Sequence, residues 1–205
     1  MERTYIFGGN NLIYIKGDKK MKQFDFEKKK TESFKALEPG GYVAKIMNTE
    51  IISYSWGEIL KLDFDIAEGE FKDYYLNQYN NNSNEDKHWQ GNMRIIIPDE
   101  SSQYYESQKK RFGNMIYCFE DSNTGYVWDW DEKKLKNKLI GLVFGNEEYS
   151  YNGYEGWKAK PKFFVTVDDI RNDNYKVPKD KPLNRPQTND FIPVSTNDID
   201  LPWED

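Results

Sequence analysis

Tyr149, Tyr151, Tyr154 and Trp157 crowd into nine residues and run directly into Lys158, Lys160 and Lys162. Aromatic faces beside regularly spaced ammonium groups are the chemistry that holds a single nucleic-acid strand. Bases stack on the rings, each stack contributing about 1–3 kcal/mol, and the cations follow the phosphates. Read as a strand, Lys158, Lys160 and Lys162 form a basic stripe on one face, with Trp157, Ala159, Pro161 and Phe163 on the other. A second aromatic group, Tyr54, Trp56, Tyr74 and Tyr75, falls in loops flanking another strand, and Arg94, Lys109, Lys110 and Arg111 add positive charge. Any one of these tyrosines taken alone reads as a half-buried packing residue. Their clustering with lysines in loops is what supports a binding surface.

Catalytic chemistry is sparse. The single histidine, His88, lies in a polar stretch with no cysteine or serine motif to partner it. Neither a phosphate-binding GxxxxGK[ST] loop nor a dinucleotide fingerprint after a strand is present. The enzymatic alternative is the acidic group Asp63, Asp65, Glu68 and Glu70 with Lys72. Carboxylates beside a lysine can hold Mg²⁺ and orient a water, as in metal-dependent nucleases. Alternation places Asp63 and Asp65 on the solvent face of a strand, where charges are expected anyway. No catalytic residue, metal ligand or cofactor is therefore assigned. Cys118, the one cysteine, sits in the apolar run Met115–Phe119 and reads as a buried small hydrophobe, which suits a reducing cytoplasm. Nothing approaches the roughly 20 apolar residues that span a bilayer, nor does anything resemble a signal peptide. A cytoplasmic protein with no membrane partner is expected.

Charge is distributed unevenly. Of 35 acidic and 29 basic side chains, five acids and no base lie from Pro186 onward. The tail thus carries most of the net charge of −6, and the remainder is nearly neutral. A pI near 5.1 consequently does not exclude nucleic acid, because binding needs a local basic face. High charge with few apolar residues predicts a disordered tail over 181–205. Within it, Asp198, Ile199, Asp200, Leu201, Pro202 and Trp203 make an acidic, apolar Pro-Trp tip. This tip resembles the acidic tail of bacterial and phage single-stranded DNA-binding proteins, which docks on replication and repair proteins. It departs from that family in ending Trp203-Glu204-Asp205, not on the aromatic residue.

The other end also stands apart. Lys16-Gly17-Asp18-Lys19-Lys20 could be encoded by codons containing a ribosome-binding sequence just before Met21. Residues 1–20 are thus expected to be an untranslated extension and Met21 the true start, with 21–40 as an arm.

The elements that must position these residues follow from pattern. Pro39-Gly40-Gly41 is a turn signal, and Tyr42–Ser53 reads as a strand. In Glu58–Ala67, Leu60, Leu62, Phe64 and Ile66 share one face, the mark of a half-buried strand. Residues 78–87 are Asn-rich and read as a loop. A strand follows at Arg94–Ile97, then a helix between Ser101 and Glu120 weakened by Gly113, then a short helix over Glu132–Lys138. Leu139–Phe144 and Trp157–Val167 complete the set and make a long β-hairpin whose aromatic tip is a tyrosine-dense loop over 145–156. Five strands with one helix in the second half predict a mainly β domain over 41–180. The expected form is a five-stranded Greek-key barrel of the oligonucleotide-binding type.

Several blocks together resemble phage and mobile-element proteins of low-GC Gram-positive bacteria. They are Leu37–Ile46, Leu60–Lys72, Arg111–Ile116 and Ile170–Lys179, within a similarity spanning about residues 21–180. The resemblance implies a single-stranded DNA-binding protein of replication or recombination loci, with single-stranded DNA and replication proteins as partners and possible homo-oligomers. The rival expectation is a phage interaction adaptor whose tyrosine loops recognise protein.

Overall fold

The computed structural model describes residues 35–185, together with Asp25. The expected extension, arm and acidic tail, including the tip Asp198–Trp203, lie outside the described residues apart from the few at their inner ends.

Five strands, β1 (Gly40–Tyr54), β2 (Gly57–Ile66), β3 (Asn92–Ile96), β4 (Leu139–Tyr151) and β5 (Tyr154–Val165), form one sheet in the order β3-β2-β1-β4-β5. Every ladder is antiparallel. The long β1 pairs with β4 through its first half and with β2 along most of its length. No ladder joins β3 to β5, so the chain is mainly β with an open sheet.

Alternation in β2 builds the core as its pattern dictates. Leu60, Leu62, Phe64 and Ile66 are all buried, and they pack with Ile46, Ile140, Leu142 and Phe144. Helix α2 (Tyr105–Ser122) covers this layer with Phe112, Met115, Cys118 and Phe119. Burial lifts the Cys118 thiol to about 12, which keeps it a protonated core residue. Gly113 does not break the helix, because the periodic apolar face supplies more than the propensity of one glycine removes.

Several local readings change. Asp65 is buried instead of facing solvent. Its carboxylate accepts the N–H groups of Ile66, Tyr75 and Leu76 at 2.8, 2.9 and 3.0 Å. It thereby caps helix α1 (Tyr74–Asn81), whose own N-cap residue, Asp73, makes no side-chain cap. Period two did place Asp65 opposite Phe64; what it omitted is that α1 covers the outer face at this end of β2. The same helix takes up the start of the expected 78–87 loop, anchored by Tyr75 edge-on to Phe64 at 5.5 Å.

The 145–156 segment is likewise strand, not loop. Asn152 and Gly153, at φ 50° and 81°, form a two-residue turn of the kind that suits the right-handed twist of a hairpin. Finally, β5 is followed by a short helix α3 (Val167–Arg171), started by a capping box between Thr166 and Asp169. The short helix expected at 132–138 is a 3-10 turn over Glu132–Leu135.

Candidate nucleic-acid interface

The β4–β5 hairpin carries the densest aromatic group. Tyr151 and Tyr154 face each other across the last rung and are the most exposed of the hairpin's rings, at 72% and 76%. Trp157 is about half exposed, opposite Glu148. Tyr149 lies across Gly156, where a Cβ would come within 3.0 Å of its hydroxyl, so one face of that ring is already occupied by backbone.

Register decides the fate of the lysine stripe. Glu147 stands on β4 opposite Lys158. Its carboxylate meets Lys160 at 2.8 Å, also holds Lys162, and lies 3.5 Å from Lys181. Hydrogen bonds from Lys160 and Lys162 hold the Glu147 carboxyl down at about 2. Much of the stripe's charge is thus compensated within the hairpin. A bulge adds a second change. Val143 pairs with Phe163 and Phe144 with Pro161, leaving Lys162 as the extra residue. Beyond it the faces exchange, so Phe163 is exposed at 53% while Phe164 turns into the core. The expectation had placed Phe163 with Ala159, on the face opposite the lysines.

The chain then returns along the same hairpin. Lys181 bonds through its backbone to Asn146 and Glu148, both at 3.0 Å. Arg185 reaches Glu148 at 2.7 Å and Glu155 at 3.1 Å. Arg185 therefore lies beside the aromatic tip.

The second aromatic group divides. Tyr54 and Trp56 stack in the β1–β2 turn, with centroids 5.1 Å apart and planes 9° from parallel. That turn extends from the opposite end of β1 to the β4–β5 tip, because β4 runs past Gly40 and not past Tyr54. Tyr74 is packed edge-on against Phe71 and Tyr75 at the start of α1. Burial raises its hydroxyl above the ordinary value. Tyr75 is in the core.

What the fold assembles, and spacing alone could not, is a basic region centred on Arg94. This residue projects from the outer face of β3 and lines three clefts. One of about 240 Å³ separates β3 from β5 and includes Lys110, Arg111, Asn114, Lys162 and Phe163. One of about 320 Å³ runs between β3 and α2, past Tyr104, Gln108 and Arg111. The third, about 650 Å³, lies over β2 and β3 with Lys61, Lys87, His88 and Trp89. Among the described residues no carboxylate lines any of them. Lys61 is balanced by Asp63 and Glu50. Arg94, Lys110, Arg111 and Lys87 have no ion-pair partner among the described residues, and Lys87 sits 4.5 Å over the Tyr79 ring. Sequence reading finds Arg94 and the α2 cations as added positive charge and misses Phe163 and Lys87. Only the approach of α2 and β5 to β3 links them.

The acidic group does not come together. Asp65 is occupied by three backbone N–H groups, Asp63 meets Lys61 at 3.2 Å, and Glu68 binds Arg171 at 2.6 Å. Among the described residues no three acidic, histidine or cysteine side chains are grouped to hold a metal ion. Among the same residues no helix is long and apolar enough to cross a membrane.

No protein-family model matches the chain, and no curated protein is significantly similar to it.

Proposed function

We propose that this protein binds single-stranded nucleic acid, with DNA of phage or mobile-element replication and recombination as the intended strand. The observation that carries the reading is the set of three clefts that share Arg94 and have no carboxylate among their described lining residues, in a chain of net charge −6. Such a concentration of cations beside Trp89, Tyr104 and Phe163 supplies both phosphate neutralisation and stacking faces.

The reading includes an oligonucleotide-binding barrel. Its support is the strand order: meeting of β3 and β5 would close the ring, and α2 lies between the third and fourth strands as that fold requires. In that fold the face of strands 2 and 3 and the loops joining strands 1–2 and 4–5 contact the strand. Here those positions carry Lys61 and Arg94, the Tyr54–Trp56 stack, and the Tyr151–Tyr154 tip. The reading extends to the acidic tip Asp198–Trp203 as the recruiter of replication or recombination proteins.

Labelled oligo-dT titrated at two salt concentrations tests it. Tight binding that weakens steeply with salt is the expected result. Absence of binding would overturn it, and cleavage on adding Mg²⁺ would favour a nuclease. One observation favours the adaptor as second reading: Glu147 compensates the hairpin lysines while leaving Tyr151 and Tyr154 exposed, a surface suited to protein contact.

A further inference from the structure

Helix α2 has two working faces. Lys110, Arg111 and Asn114 turn toward the basic cleft beside β3. Tyr105, Lys109, Phe112, Gly113 and Ile116 turn the other way, into a separate groove of about 480 Å³. Its far wall comprises Ile51 and Leu60 of the sheet, Ile97-Pro98, and the Trp128–Trp130 segment that follows the helix. The α2 lining extends from residue 105 to 116, about 16 Å at 1.5 Å per residue. That is a trough along three turns.

Three features mark the groove as unfilled by the fold itself. A Cβ on Gly113 would meet nothing within 4 Å, so open space lies over the middle of the helix. Trp130 is 79% exposed and holds φ at 68°, in the left-handed region that bulky residues rarely adopt. It rests edge-on against Trp128, which in turn rests edge-on against Phe112. The Trp128 indole N–H is buried with no acceptor among the described residues. Charge then identifies the occupant. Among the described residues, Glu58, Glu100 and Glu132 line the groove against the single Lys109, whose ammonium lies 5.6 Å over the Tyr105 ring. The chain's own tail, with five acids and no base, has the wrong sign.

We infer that this groove docks a basic amphipathic peptide segment of a partner protein. Its aliphatic or aromatic side chains enter between α2 and the tryptophans, and its lysines or arginines meet the three glutamates. Helix-in-groove binding of this kind reads anchors at i, i+3, i+4 and i+7. The inference does not depend on nucleic-acid binding, because the two faces of α2 are distinct.

The test uses full-length protein and three fluorescein-labelled peptides of about 18 residues, enough for five helical turns. One has leucines at amphipathic spacing with lysine elsewhere, one has glutamate in place of lysine, and one is the leucine–lysine composition shuffled. Anisotropy should show the first binding at least about tenfold more tightly than either control, as burial of paired anchors requires. Gly113→Leu fills the groove and adds helix propensity, so it should remove most of that binding without lowering Tm. Glu100→Gln with Glu132→Gln should weaken it, most at low salt. Oligo-dT affinity should be unchanged in all these variants, which separates failure here from failure of the nucleic-acid reading. Equal binding of the shuffled peptide, or full binding by folded Gly113→Leu, would overturn the inference. So would a dimer that Gly113→Leu converts to monomer, which assigns the groove to a second copy. Peptide binding that emerges only after removal of 186–205 would assign it to the tail.

Discussion

Lys160 and Glu147 stand 2.8 Å apart across the β4–β5 ladder. The same carboxylate also holds Lys162, so one acid governs two of the three lysines in the basic stripe. The hairpin thus presents aromatic rings with its charge partly returned to itself, and the uncompensated cations lie instead around Arg94.

Glu147→Gln should release both ammonium groups. Single-strand affinity is expected to rise, and each new phosphate contact should steepen the salt dependence by about 0.7 in log–log slope. The same change affects acid stability. Glu147 titrates at about 2 in the folded chain against 4.5 ordinarily, so its contribution is present above 4.5 and lost as pH falls through 2. Because Lys160 is half exposed, about 1 kcal/mol is a fitting scale. Urea unfolding at pH 2 and 6 should show this increment in the wild type and not in the variant.

Arg94→Ala with Arg111→Ala should act on the electrostatic part of binding. Loss of two phosphate contacts lowers the salt slope by about 1.4. Tyr154→Ala with Trp157→Ala should do the reverse, costing about 2–6 kcal/mol as two lost stacks with little change in slope. Titrations at several salt concentrations separate these outcomes. An unchanged slope in the arginine variant would exclude the β3 clefts as the phosphate path.

Asp65→Ala should be among the most damaging single changes. It strips acceptors from the N–H groups of Ile66, Tyr75 and Leu76. A loss of about 2–4 kcal/mol in denaturant unfolding is expected, with α1 released first. Burial raises the Asp65 carboxyl above its ordinary 3.8, against the lowering effect of those N–H groups. Its charge-linked contribution to stability is therefore present below 3.8 and lost as pH rises through the folded value. Asp65→Asn should flatten that dependence.

Removal of residues 186–205 should leave oligo-dT binding intact or tighter. Five acids tethered beside Arg185, itself fixed to Glu148 and Glu155, compete with phosphates at high effective concentration. The gain should be greatest at low salt, where screening is least. Trp203→Ala should leave DNA affinity unchanged while abolishing capture of host replication proteins. Identical captures by wild type, Trp203→Ala and truncated protein would reduce the tail to a solubilising terminus.

Sequence alone located the core strand β2 and the helix α2. Leu60, Leu62, Phe64 and Ile66 alternate over one strand, and Tyr105, Phe112, Ile116 and Phe119 recur at helical spacing. Such periods are local consequences of 2.0 and 3.6 residues per repeat, legible without knowing any neighbour. The inner parts of the hairpin strands, over 139–144 and 157–165, were legible for the same reason, although their outer ends over 145–156 were not. Tyr151 and Tyr154 are largely exposed, and a ribbon with little burial leaves little hydrophobic alternation to read.

Tertiary structure decided which charges remain available. Pairing of Glu147 with Lys160 depends on cross-strand register, and the exposure of Phe163 depends on one extra residue at Lys162. Burial of Asp65 depends on a helix folding back over β2. Arg94 meets Lys110 and Arg111 only because α2 packs along β3, and meets Lys162 and Phe163 only because β5 approaches the same edge. Coulombic and packing energies act over a few ångströms of space. Residues far apart in the chain acquire them only when the fold brings their elements together.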